Sequence, residues 1–371
     1  MKTNKLMGVV FGNTNDELLG EMTEQRAISS LPFGARYRLI DFTLSNLVSA
    51  DVSRVAVVTR SNYKSLMDHI ESGKSWDLAR RNGGLVIIPP NSFAGSGMNE
   101  SKLMSIAAIL DYIDHGTEEY VVLCDGDTVS NFDLKNMFEQ HLKNGADATF
   151  AYKHGLSPNG RHDVMALSVA SDGRIEDIML TQDGVECDFS LDVIIIRRDL
   201  LRKFIEGAVS RNCLNLASDI FQREFGNYAF YGYKVSGCAE VIDSLQTYIS
   251  TNMKLLDKDV RQQLFRGKHQ VYTKVRSEMP AKYGLDSSVS NSLISDGCII
   301  EGEVVNSVLF RGVKVGKGSV VRNCVLMQAT DVGENVTLDY VCTDKNTKIS
   351  SGRTLSGSEM YTVYIRKGSV V

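Results

Sequence analysis

Residues 6–46 read LMGVVFGNTNDELLGEMTEQRAISSLPFGARYRLIDFTLSN, and the fold turns on them. Leu6 to Phe11 is an apolar run of strand length, the pattern of a strand buried on both faces. A polar stretch follows, and Arg36-Tyr37-Arg38-Leu39-Ile40-Asp41-Phe42 opens a second ordered segment. Strand, loop and helix in that order at a chain's start is where nucleotide-binding α/β domains hold a phosphate, on the amides of a helix N-terminus. The functional question is whether the loop between Phe11 and Arg36 keeps the residues for that task.

The pattern continues outward. Arg54 to Thr59 is a second apolar strand, closed by Arg60-Ser61-Asn62, and Ser65 to Ile70 has helical spacing. Leu85 to Ile88 is a third strand, stopped by Pro89-Pro90. Ser101 to His115 is helical, with Leu103, Ile106, Leu110 and Ile113 on one face. Tyr120 to Cys124 is a wholly apolar fourth strand ending in Asp125-Gly126-Asp127, two acids where a strand meets its loop. This alternation predicts a parallel sheet with helices on both faces, a doubly wound α/β domain. From Ala148 the chain becomes strand-rich (Ala148–Tyr152, Val164–Val169, Asp192–Ile196), and a helical stretch from Ser244 to Leu256 closes the block. Residues 1–256 are therefore expected to form one domain, and the charged, mixed residues 257–285 a connecting segment.

Residues 286–371 read differently. Apolar residues recur six apart at Leu293, Ile299 and Val305, and again at Leu309, Val315, Val321 and Met327. Val313, Ser319 and Val325 sit four beyond several of them, and Val315-Gly316 and Val332-Gly333 supply apolar-Gly turn starts. One inward aliphatic per six residues predicts a parallel β-helix rather than an antiparallel sandwich, with register slips after Val305 and Met327. Cys298, Cys324 and Cys342 are expected to point inward as small apolar fillers.

Composition narrows the function classes. The chain has 371 residues, 43% hydrophobic and 23% charged, with net charge −4, which gives no electrostatic reason to expect nucleic-acid binding. No apolar run approaches the roughly 18 residues that span a membrane, and the opening Met-Lys-Thr-Asn-Lys leads into a strand too short for a signal-peptide core. Seven scattered cysteines without a Cys-x-x-Cys pair read as reduced thiols in a cytoplasmic protein. The six histidines show no metal-ligand spacing. Trp76 and the aromatics Tyr228, Phe230, Tyr231 and Tyr233 read as core or interface residues, and Asp125 and Asp133 as loop caps near Asp127.

Phe33-Gly34-x-Arg36-Tyr37-Arg38-Leu39-Ile40-Asp41-Phe42-x-Leu44-Ser45-Asn46 resembles the FGGKFRIIDFALSN segment of bacterial glucose-1-phosphate adenylyltransferases (ADP-glucose pyrophosphorylases). Val57-Val58-Thr59, His69-Ile70, Trp76-Asp77-Leu78, Asn82-Gly83-Gly84 before Pro89-Pro90, and Tyr120 to Leu123 ahead of Gly126-Asp127 are similar to later parts of that family. The C-terminal hexads are similar to its last domain, so the resemblance covers nearly the whole chain. It implies a Rossmann-like nucleotidyltransferase domain followed by a left-handed β-helix, assembled as tetramers. It implies a reaction joining ATP and glucose 1-phosphate into ADP-glucose and pyrophosphate with a magnesium ion, for glycogen or starch synthesis.

The same resemblance locates losses. Attack of a sugar phosphate on the α-phosphorus of ATP needs amides and cations around the triphosphate and a metal held by carboxylates. Aligned without gaps, the family's AGGRGTRL loop falls on Gly12-Asn13-Thr14-Asn15-Asp16-Glu17-Leu18-Leu19, which lacks the inner glycines and the arginine and carries two acids. A carboxylate about 5 Å from a phosphate charge costs about 3 kcal/mol at an effective dielectric near 20. The lysine of the family's RAKP falls on Ile28, the base-holding GTADA on Ser101 to Ser105, and the sugar-phosphate lysine near Thr181. The second metal carboxylate falls near Val241, so Asp127 is the retained metal position and magnesium is not expected to bind tightly.

Losses confined to chemistry imply resemblance to the GlgD-type regulatory subunit of the family, paired with a catalytic subunit in a heterotetramer. Arg36 stands at the lysine position of the family's GGKFR segment, near which phosphorylated-sugar effectors bind, and Arg60 and Lys64 are further candidate effector cations. The plain alternative for each of these three is a solvated surface charge. Two other readings stay open: a self-sufficient nucleotidyltransferase with a rearranged site, and a non-enzymatic sugar-nucleotide or acyl-binding scaffold. The absence of any histidine beyond His269 counts against the acyl form.

Overall fold

The computed structural model describes residues 5–60, 62–81, 83–89, 101–161 and 163–371. The readings made on Met1 to Asn4, Ser61, Asn82 and Pro90 lie outside those residues. The first strand, Leu6–Phe11, lies between parallel strands Arg54–Val58 and Tyr120–Asp125. All six of its residues are buried. Met7, Val9 and Phe11 enter one hydrophobic cluster while Leu6 and Val10 enter the cluster on the opposite face, the alternation a pleated strand imposes. Gly8 is needed here because a Cβ would lie 3.1 Å from Leu47, on the helix Leu39–Ser49 that covers the sheet.

The sheet is mixed rather than wholly parallel. Strand Gly84–Ile88 extends the parallel half, whereas Glu186–Arg197 pairs antiparallel with Tyr120–Asp125. The long strand Ala148–Leu156 also runs antiparallel to Glu186–Arg197. The helix expected over Ser101 to His115 divides into Lys102–Ala108 and Leu110–Asp114 at Ile109. Ile109 joins Leu103, Ile106 and Ile113 in the core, and Leu110 packs against it partly buried. No helix among the described residues is long and apolar enough to cross a membrane.

From Arg38 to Asn46 the motif is buried scaffolding. The Asp41 carboxylate accepts from the Arg38 amide at 2.9 Å, capping the first turn of its helix, and its other oxygen meets His69 Nε2 at 2.6 Å. Arg38 Nη1 donates to the backbone oxygen and the hydroxyl of Ser65. At the other end, Ser45 Oγ accepts from the Tyr272 amide and Asn46 Oδ1 meets His269 Nε2, so the motif grips the connecting segment. That segment holds its own helix, Lys258–Phe265, and the strand Lys282–Tyr283.

The C-terminal region is a left-handed parallel β-helix of three five-stranded sheets. One sheet steps from Lys282 to Ile299, Lys314, Asp331 and Lys348, and the step from Ile299 to Lys314 is two residues shorter than the others. Leu309, Val315 and Val321 fill the interior as expected. The expected inward positions Ile299 and Val305 are corrected by one residue. Ile299 is 36% exposed and Val305 is half-buried, while Ile300 and Val304 are fully buried, because neighbours on a strand face opposite ways. Cys298 and Cys324 face the interior, but Cys342 does not. It faces outward into a shared core with Ile28, Phe33, Tyr248, Phe310 and Met327, which joins the β-helix to the first domain. Arg26 and Asp344 form an ion pair across the same junction, with side chains 4% and 2% exposed. All seven cysteines carry free thiols.

Candidate functional site

The loop after the first strand has turned its polar groups inward. The Gly12 amide donates to Val58 O, the Ser29 amide to Gly12 O, and the Arg60 amide to Asn13 Oδ1. The Asp16 carboxylate does not project toward a ligand, as its position in sequence suggested. It accepts from the Ile28 amide at 2.7 Å, closing the loop on itself. The amides of Gly12, Ile28 and Ser29 are thereby committed within the chain. Gly12 is held by packing, since a Cβ there would meet Leu66 at 2.9 Å. Glu17 is exposed on a cleft lined also by Thr14, Asn15, Arg60, Ser101, Lys102 and Arg161. Ile28 is 1% exposed and belongs to the interdomain core rather than to this cleft.

Burial pushes Asp16 up from 3.8 to about 7. A carboxyl raised by folding stabilises the fold while protonated and loses that contribution as pH rises from about 4 to 7. Asp16→Asn, which keeps an acceptor for the Ile28 amide, is therefore expected to leave stability nearly unchanged near pH 4 and to raise it by about 2 kcal/mol above pH 7, discounting for partial exposure. Thermal melts of both proteins from pH 4.5 to 8 check the sign.

At the carboxyl end of Tyr120–Asp125 the structure assembles an ion cluster. Asp127 Oδ2 accepts from Arg161 Nη2 at 2.5 Å and from Asn15 Nδ2 at 3.0 Å, and Thr128 Oγ1 lies 3.4 Å from its other oxygen. Lys102 Nζ lies 2.8 Å from Asp125, 2.9 Å from Asp192 and 3.7 Å from Asp163. Arg161 Nη1 lies 3.8 Å from Asp125 and 3.7 Å from Asp192. Burial opposes the charge on both cations, but the surrounding aspartates outweigh it and raise both pKa values. Lys102 in turn holds Asp163 below the ordinary carboxylate range, while burial raises Asp125 against the pull of the same lysine.

Magnesium does not fit these residues. Both oxygens of Asp127 face protein donors, and one is taken by a guanidinium. Val241 is buried in the core, and the acid two residues on, Asp243, accepts from the Asn159 amide and Thr247 Oγ1. Among the described residues no group of three His, Cys, Asp or Glu side chains is arranged to hold a metal ion. Thr181, at the sugar-phosphate position, donates its hydroxyl to Gln182 O. Sequence reading did not single out Arg161, Asp163 or Asp192 for this cluster, and it placed Lys102 only within the base-holding stretch, whereas the structure makes it a buried counter-ion. Asp133 does cap, accepting from the Asn136 amide.

A second polar feature lies where the domains meet. Arg36, Arg38, Lys274, Arg276 and Arg311 line one cleft. Arg311 is 6% exposed, and its Nε and Nη2 have no hydrogen-bond partner among the described residues; burial, and then Arg36 and Arg276, lower its pKa. Burial together with Arg38 and Arg26 drives Lys345 down to about 6. Crowded cations of this kind favour an anion. The three effector candidates do not converge: Arg36 lines this cleft, Arg60 lines the cleft beside Glu17, and Lys64 is exposed at the start of helix Lys64–Ile70.

Comparison with known proteins agrees with the two-part architecture. Residues 17–178 match the nucleotidyl transferase family, and residues 279–359 match the GlmU-like C-terminal hexapeptide family. The glycogen biosynthesis protein GlgD of Bacillus subtilis is 34% identical over 370 residues, which is 100% of this chain and 98% of that protein. GlgD of Geobacillus stearothermophilus is 36% identical over 321 residues, 86% of this chain and 83% of the relative. A glucose-1-phosphate adenylyltransferase of Clostridium perfringens is 28% identical over 343 residues, 90% and 87% of the two chains.

Proposed function

This chain belongs to the family of GlgD glycogen biosynthesis proteins, related to the glucose-1-phosphate adenylyltransferases, and from that premise we propose that it is a catalytically weak or inactive regulatory subunit of a glucose-1-phosphate adenylyltransferase in glycogen biosynthesis. The observation that carries this reading is the engagement of Asp127 by Arg161, at the place where the family's reaction needs a metal carboxylate. The catalytic partner supplies the competent phosphate loop and the magnesium site, and the two kinds of chain form a cytoplasmic heterotetramer. Co-expression with a tagged catalytic subunit is expected to give a stoichiometric complex by analytical ultracentrifugation. Two non-interacting species would count against it.

Regulation in this reading enters through the interdomain cleft, where Arg36 contributes to a site for a phosphorylated-sugar effector. Arg36→Ala in the reconstituted complex is expected to raise the half-activating concentration of a sugar bisphosphate about tenfold, the loss of one charge-assisted phosphate contact. An unchanged activation curve would remove Arg36 from the site. A self-sufficient enzyme with a rearranged site is the weaker reading, because a guanidinium engages Asp127 and the Asp16 carboxylate closes the loop on the Ile28 amide.

A further inference from the structure

We propose that Arg161 acts as a built-in counter-cation in place of a divalent metal, and that it latches the loop 157–161 shut over the carboxylates of the cleft. Its side chain is 3% exposed, and its guanidinium reaches carboxylates from two strands, Asp125 and Asp192, together with Asp127 just beyond the end of Tyr120–Asp125. Three acids around one buried cation need that charge, because an uncompensated carboxylate in such surroundings is strongly disfavoured. The guanidinium provides it permanently, with fixed donor geometry and no exchange with solvent.

The loop that carries Arg161 is tied at several points. The Ser157 hydroxyl donates to Gln182 O, and the Asn159 amide donates to Asp243. Gly160 sits at φ +70° with its Cα against Leu18, where a Cβ would come within 2.8 Å. Arg161 is the tie that reaches the sheet. Lys102, entering from the far side at the first turn of its helix, completes the neutralisation. The inference deepens the reading of an inactive site, but its test uses no catalysis, so either can fail without the other.

The test is manganese binding by the full chain, with Mn2+ alone as the probe, followed by the loss of its free-ion electron paramagnetic resonance signal and by thermal unfolding. The unaltered chain is expected to show no saturable site up to about 1 mM Mn2+ and no shift in Tm. Arg161→Gln is expected to lower Tm in the absence of metal, to bind Mn2+ at least tenfold more tightly, and to recover part of its Tm when Mn2+ is added. Asp127→Asn in the Arg161→Gln background is expected to abolish the gained binding, and Arg161→Lys to resemble the unaltered chain. Sub-millimolar Mn2+ binding by the unaltered chain overturns the proposal, as does a folded Arg161→Gln that gains no Mn2+ affinity. Should Arg161→Gln fail to fold even with Mn2+, the unaltered chain and Arg161→Lys decide it: both metal-free supports the proposal, and metal binding by either overturns it.

Discussion

Purified alone and given ATP, glucose 1-phosphate and magnesium at saturating concentrations, this chain is expected to form ADP-glucose at least about 10⁴-fold more slowly than a catalytic relative. The magnitude follows from what is absent. Removing one preorganised donor from a transition state costs about 10²–10³ in rate, and on the proposed reading a lysine, the loop glycines and the metal site are lost together. The lysine position holds Ile28, buried at 1% in the interdomain core. The Ile28 and Ser29 amides are spent within the loop and that of Gly12 on Val58 O, and Asp127 accepts from Arg161. These changes support one another structurally, so a single reversion is not expected to help. Ile28→Lys places an unpaired ammonium among Leu19, Met22 and Leu31 and is expected to destabilise the chain without raising turnover. Product formation over hours at high protein concentration, measured by nucleotide chromatography, checks the rate.

Arg26→Ala is expected to destabilise the chain by about 3–5 kcal/mol, the cost of stranding one partner of a buried ion pair. Arg26 and Asp344 are both nearly inaccessible, and Tyr364 donates its hydroxyl to the same carboxylate at 3.0 Å. The pair spans from the loop region to the β-helix, so its loss is expected to uncouple the two parts and to broaden or split the urea transition. The Arg26→Ala, Asp344→Ala double variant is expected to lose less than the sum of the single losses, since neither charge is then left alone. A loss below about 1 kcal/mol for Arg26→Ala in urea unfolding would show that water reaches the junction and screens the pair.

The fold was legible in the sequence wherever burial imposes a period. The apolar runs at Leu6–Phe11 and Tyr120–Asp125 read as central strands because both faces are covered, and the hexads read as coils. The one-residue displacement at Ile299 and Val305 arose because adjacent apolar residues, Ile299-Ile300 and Val304-Val305, leave the facing of a strand of two or three residues open. Cys342 was misplaced for a related reason: the sheet face bearing it is covered by the other domain, which no local pattern announces. The site was only half legible. Gly12, Asp16, Glu17 and Ile28 could be named from position, but the inward turn of Asp16 depends on a backbone amide twelve residues away. Arg161 was missed because a counter-ion delivered from a distant loop carries no spacing of its own, and Lys102, at the first turn of its helix, was read only as part of the base-holding stretch. One signal was available: an Asp-Gly-Asp end on a fully apolar strand demands buried positive charge, and that demand could have prompted a search for it.

The measurement that bears most directly on the central claim is ADP-glucose synthesis by a catalytic subunit at fixed concentration, titrated with this chain and assayed across a range of sugar-bisphosphate effector. The account predicts that synthesis changes with added chain until a stoichiometric complex is reached. At that point the half-activating effector concentration or the maximal activation differs from that of the catalytic subunit alone, while this chain by itself stays at background. Kinetics that are the same with and without the chain, or turnover by the chain alone at a rate comparable to the catalytic subunit, would contradict it.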